Sequence, residues 1–120
     1  MKEVKLHVEG LDAFVKRTTE TARRLDRGER RRGKGHISFE TMEALLRLLT
    51  PNRWALLRKL RGSGSSSIRA LARSLGRDYR GVHADVTVLV GAGLIERSPN
   101  GSISVPWSRI TAEMALDIAA

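Results

Sequence analysis

The chain has 120 residues, no cysteine, 41% apolar and only 4% aromatic residues; it fits one aliphatic-cored domain, with or without an extension, and excludes a disulfide framework or a thiolate metal site. Twenty-two Lys and Arg stand against 13 Asp and Glu, a net charge of +9, and 17 of the 22 are Arg. Guanidinium forks suit phosphate, so nucleic acid is the expected class of partner.

Val4, Leu6 and Val8 alternate with Lys5, His7 and Glu9, the period of a strand. Leu11, Phe14, Val15, Thr18, Ala22 and Leu25 follow at helical spacing, and Gly28 is a stop. Arg30-Arg31-Arg32-Gly33-Lys34-Gly35-His36 has nothing to bury and reads as a basic linker over residues 30–37. Ser38 and Thr41 offer helix starts ahead of a stripe of Met42, Leu45, Leu46 and Leu49. Thr50-Pro51 is an N-cap with proline at the first helical position, and Trp54, Leu56, Leu57 and Leu60 give that helix its apolar face. Gly62 to Ser67 reads as a flexible turn. Ser67 then caps a helix with Ile68, Leu71, Ala72 and Leu75 inward, Gly76 turns the chain, and Asp78 caps a second helix to about Ala92, stopped by Gly93. Leu94, Ile95 and Arg97 pair with Ser102, Ile103 and Val105 across Ser98-Pro99-Asn100-Gly101, an Asn-Gly hairpin signal. Ile110, Ala112, Met114, Leu116 and Ile118 recur with period two, which predicts a C-terminal strand able to pair with the N-terminal one, in the same chain or across a dimer.

At roughly 100° per residue, Val82, Val86, Leu89 and Gly93 share one face of the second helix, while Arg80, Ala84, Thr87 and Gly91 share the opposite one, flanked by Tyr79 and His83. That outward face is small and polar, suited to a major groove; a plain helical hairpin exposes Glu, Lys and Gln instead. Ser65, Ser66, Ser67 and the amides behind them can hold a phosphate or merely cap the helix. Arg97, Asn100 and Ser102 can touch a DNA backbone or minor groove, or form a solvated tip. Arg30, Arg31, Arg32 and Lys34 can form a minor-groove arm or a solvated linker. His7, His36 and His83 are scattered, and neither a metal site, a cofactor site nor a catalytic constellation emerges.

Ser67-Ile68-Arg69-Ala70-Leu71-Ala72, Leu75-Gly76, Val82, Val86, Leu89 and Gly93-Leu94-Ile95-Glu96-Arg97 carry a resemblance, over Thr50 to Val105, to MarR-like winged helix-turn-helix transcriptional regulators. The whole chain, with Ile37-Ser38-Phe39-Glu40 as an "ISFE" stretch, resembles a subgroup of small prokaryotic regulators, some of them like the antitoxin half of toxin–antitoxin pairs. It departs from the pattern at Ala70, where an acidic capping-box partner is frequent, at Thr87, where a basic residue is common, and in its unusually Arg-rich linker. The resemblance implies an α+β, mainly α fold: a winged helix-turn-helix over 38–106, an N-terminal strand and helix over 1–29 and a C-terminal strand over 107–120. It implies a dimeric, sequence-specific repressor on double-stranded DNA, with a recognition helix near 78–92 in the major groove and a wing near 95–105. The alternative is an antitoxin that neutralises a cognate toxin and regulates its own operon. The expected DNA-facing set is Ser66, Ser67, Arg69, Arg77, Tyr79, Arg80, His83, Ala84, Thr87, Arg97 and Asn100. The expected dimer or partner set is Leu11, Phe14, Ala22, Leu25, Met114 and Leu116.

No apolar run nears the roughly 20 residues of a bilayer span, and the first residues start no signal peptide. The expectation is therefore a cytoplasmic, nucleoid-associated protein with no membrane partner and no enzymatic activity.

Overall fold

The computed structural model describes residues 2–9, 19 and 34–114. Over them the chain is mixed α+β: helices and two small three-stranded sheets. In order they are β1 (Glu3–Val8), β2 (Lys34–Phe39), α1 (Met42–Leu48), α2 (Pro51–Ser63), β3 (Ser65–Ser66), α3 (Ile68–Leu75), α4 (Tyr79–Gly91), β4 (Glu96–Arg97), β5 (Ile103–Ser104) and β6 (Arg109–Glu113). Two units divide them: Met1–Leu46 with Trp107–Ala120, and Arg47–Pro106. Among the described residues no helix is long and apolar enough to cross a membrane.

The first unit is a wholly parallel sheet in the order β2-β1-β6. The period-two pattern does what it predicts in β1, where Val4 and Leu6 are buried and Lys5 and His7 lie on the other face. The first part of the C-terminal alternation, Ile110 and Ala112, also folds as a strand, and β6 pairs with β1 within the same chain, Lys5 opposite Thr111; Met114 lies past the strand, and Leu116 and Ile118 lie outside the described residues. Lys34–Phe39 differs from expectation: it is a strand, not the end of a linker followed by a helix start. The basic run hides an alternation of Gly35, Ile37 and Phe39 with His36 and Ser38. Gly35 is small because Trp107 lies against it: a Cβ there would stand 2.9 Å from the Trp107 ring. Ser38 donates its hydroxyl to Glu9 Oε1 at 2.7 Å, and Thr41 caps α1 instead, accepting from the Ala44 amide at 3.1 Å. Of the expected stripe on α1, Leu45 is buried and Leu46 is exposed.

In the second unit α2 opens as expected, Thr50 Oγ1 accepting from the Arg53 amide with Pro51 behind it. Leu56, Leu57 and Leu60 are buried with Ile68, Leu71 and Ala72 of α3 and Val82, Val86 and Leu89 of α4. Trp54 belongs to no core; it is exposed. Ser67 caps α3 through the Ala70 amide at 3.1 Å. Gly76 ends α3 with φ 64° and ψ 32°, the left-handed conformation a side chain resists. Asp78 stands at the N-cap position of α4 but makes no side-chain capping bond. Three further expectations shift. Leu94 and Ile95 are buried in the core, and the hairpin strand begins at Glu96, pairing Glu96 with Ser104 and Arg97 with Ile103. Gly62 to Ser67 is no simple turn, since β3 joins β5 as a third, antiparallel strand. Serine gives no apolar signal, but ladder bonds come from the backbone and need only an extended chain beside β5. Gly93 lies past the end of α4 and is exposed, so it takes no part in the buried face.

Candidate nucleic-acid interface

Burial divides α4 as its periodicity predicts. Val82, Val86 and Leu89 are buried, whereas Arg80, Ala84, Thr87 and Gly91 are exposed. Tyr79 is also exposed and His83 half-buried. The outward strip thus holds one guanidinium, one hydroxyl and two residues too small to keep another surface at a distance, with the exposed Val88 at its border. Thr87 donates its hydroxyl to the His83 carbonyl at 2.9 Å, so toward a ligand it offers a methyl group and an oxygen acceptor.

A short row of stacked groups joins the first turns of α3 and α4. The Arg69 guanidinium carbon lies 5.1 Å from the centroid of the Tyr79 ring. That ring lies 5.8 Å from the His83 ring, tilted by 41°. Arg69, Tyr79 and His83 therefore form one cluster, a proximity that helical periodicity within either helix does not reveal.

Beneath the exposed strip sits an ionic clasp. Asp85 is only 14% exposed and accepts from Arg53 Nε at 3.0 Å and from Arg77 Nη2 at 2.8 Å. Arg53 also donates Nη1 to the Arg47 and Leu48 carbonyls at 2.9 and 3.1 Å. One carboxylate thus ties α4 to α2 and to the turn before α4. Arg77 belongs to the set expected to face outward; the structure commits it to Asp85 instead, with its Nη1 buried and without a hydrogen-bond partner. Sequence reasoning missed Arg53 and Asp85. The one signal for them was an acidic residue next to Val86 on a helix with no other acid inside it.

Ser66 donates its hydroxyl to the Ser67 carbonyl at 2.9 Å, and Ser67 is occupied as a cap; Ser67 and Arg69 are exposed. At the hairpin tip Asn100 Oδ1 accepts from the Ser102 amide at 3.0 Å and from the Ser98 hydroxyl, which also lies 2.8 Å from Ser102 Oγ. Asn100 therefore spends its carbonyl on shaping the turn, while Arg97 is exposed on β4. The arm residues Arg30, Arg31 and Arg32 lie outside the described residues, and Lys34 opens β2. Leu11, Phe14, Ala22, Leu25 and Leu116 also lie outside them; Met114 is 50% exposed. Among the described residues no group of three or more His, Asp or Glu can hold a metal ion.

No curated protein and no solved structure matches this chain. A family model does: the one described as HVO_A0114, over residues 48–112. That match spans more than half of the sequence, from the end of α1 through nearly all of β6, and the chain belongs to the HVO_A0114 family.

Proposed function

We propose that this HVO_A0114-family protein is a transcriptional regulator that binds double-stranded DNA in a sequence-specific way through a MarR-like winged helix-turn-helix. In this reading α3, the Gly76 turn and α4 are the helix-turn-helix, α4 enters the major groove, and the β4–β5 hairpin is the wing. One observation carries it: α4 buries Val82, Val86 and Leu89 and turns outward a strip of Arg80, Ala84, Thr87 and Gly91. A helix evolved only to meet water has no reason to be short-sided and to carry a lone guanidinium in its first turn. A base edge does supply that reason, because guanine presents O6 and N7 to such a fork. The net charge of +9 supports the same reading by attracting phosphate without regard to sequence.

Arg80 is assigned to a base, Tyr79, His83, Ala84 and Thr87 to groove contact, and Arg69, Ser67, Arg97 and Asn100 to the backbone. Selection from a random duplex library tests the proposal. Successive rounds with the full chain should enrich a motif, and Arg80→Ala should relax it at one base position. Binding to every duplex with no enrichment would leave a basic protein without readout and overturn the proposal.

A further inference from the structure

Strand β6 has β1 on one side, and no described strand lies on its other side. Its residues are Arg109-Ile110-Thr111-Ala112-Glu113, all exposed except the half-buried Ile110. Exposed edge backbone invites another strand, and proteins that avoid this place unmatched charge, proline or a bulge there. β6 has no proline and pairs with β1 in unbroken register, and its two charges, Arg109 and Glu113, are of opposite sign. It is instead self-complementary: an antiparallel copy centred on Thr111 sets Arg109 opposite the partner's Glu113, Ile110 opposite the partner's Ala112, and Thr111 opposite itself. A two-fold axis through the Thr111 pair repeats the other two. Opposite charges, β-branched pairs and Thr–Thr pairs are the cross-strand combinations that stabilise a sheet.

The other edge lacks this property. An antiparallel copy of β2 centred on His36 opposes two histidines, and Gly35 with Ile37, and matches no charges. The pairing also keeps faces together. Arg109, Thr111 and Glu113 lie on the face of Lys5, whose ammonium meets Glu113, while Ile110 and Ala112 lie on the Val4 and Leu6 face. Each Arg109 thus reaches a carboxylate already flanked by a lysine, and the exposed Ala112 gains an isoleucine neighbour.

We infer that β6 is the seam of a homodimer, in which two copies of the chain join their three-stranded sheets, edge to edge and antiparallel about Thr111, into one six-stranded sheet. The seam is argued from β6 alone and does not depend on the DNA-binding reading, although a dimer would double the number of reading helices.

Sedimentation of the full chain tests it, using charge reversal. Arg109→Glu places glutamate against glutamate, and Glu113→Arg places arginine against arginine. Each variant should dissociate at least about tenfold more readily than the wild type. Their equimolar mixture restores both opposite-charge pairs and should recover the dimer as a heterodimer. A wild-type chain that stays monomeric, or a dimer indifferent to both reversals, overturns the inference. Thermal melts check that both variants fold, since Glu113→Arg also faces Lys5. Should either melt early, Thr111→Cys decides the matter, because the chain has no cysteine of its own. A short bifunctional thiol reagent should link Thr111→Cys chains into covalent dimers and leave Ser74→Cys chains, altered on α3, unlinked. Failure to link Thr111→Cys, or equal linking of both, places the contact elsewhere.

Discussion

Arg77 and Arg80 are near neighbours in sequence, and the fold gives them opposite tasks. Arg77 turns in to Asp85, whereas Arg80 is left outward on α4. Arg80→Ala is therefore expected to leave the melting temperature unchanged and to cost about 1–3 kcal/mol of binding on a selected duplex. Equal weakening on a scrambled duplex would reduce Arg80 to a phosphate contact. Asp85→Ala should behave in the opposite manner. It strands two guanidinium groups that are less than one-third exposed, at a cost of about 1–3 kcal/mol of folding free energy, and loosens α4 against α2. A melt of Asp85→Ala that matches wild type would show the clasp to be idle. Arg80 was legible because a period of 3.6 assigns a residue to a face. The clasp was not, because Arg53 and Asp85 are 32 positions apart and only the packing of α2 on α4 brings them together.

The elements carrying both helix periodicity and end signals were legible: Thr50-Pro51 opens α2, Ser67 opens α3 and Gly76 closes it. Two strands were not. β3 has only serines, and β2 follows a charged run and finds its parallel partner more than 25 positions away. A parallel strand has no adjoining turn to announce it. Three substitutions probe elements in turn. Val86→Asp should unfold the second unit by burying an unpaired charge, seen as a fall in helical circular dichroism. Gly76→Ala forces a β-carbon into left-handed backbone and should cost about 1–2 kcal/mol through that strain alone, since nothing lies within 4 Å of the added carbon. Gly35→Ala should displace the Trp107 ring and shift its fluorescence, and an unchanged spectrum would mean that the ring stays in place and the strand yields instead.

Across the whole chain the excess of Arg over acid should make DNA binding steeply salt-dependent. Neutralising Arg30, Arg31, Arg32 and Lys34 together should lower the slope of log K against log salt by up to about 0.9 for each phosphate the segment no longer neutralises; an unchanged slope would show that the segment does not touch DNA. Acid should act at the other end of the sequence. The Lys5 ammonium, by hydrogen bond and by charge, holds the Glu113 carboxyl below its usual range. A depressed carboxyl stabilises the fold above its unfolded value, and that contribution is lost as pH falls through the folded one. The gap in melting temperature between wild type and Lys5→Met should thus be present at neutral pH and close in acid. The wholly parallel sheet has a consequence for biosynthesis. Its central strand is made early, yet its β6 neighbour arrives late: the Ser108 hydroxyl and amide both reach the Lys2 carbonyl across 106 positions of sequence. Long loops close slowly, so contacts of this range form late. The segment from Arg47 to Pro106 closes shorter loops, such as the 32 positions between Arg53 and Asp85, and can fold before β6 is made. The sheet must wait for β6, and until then one side of β1 stays open to whatever strand reaches it first.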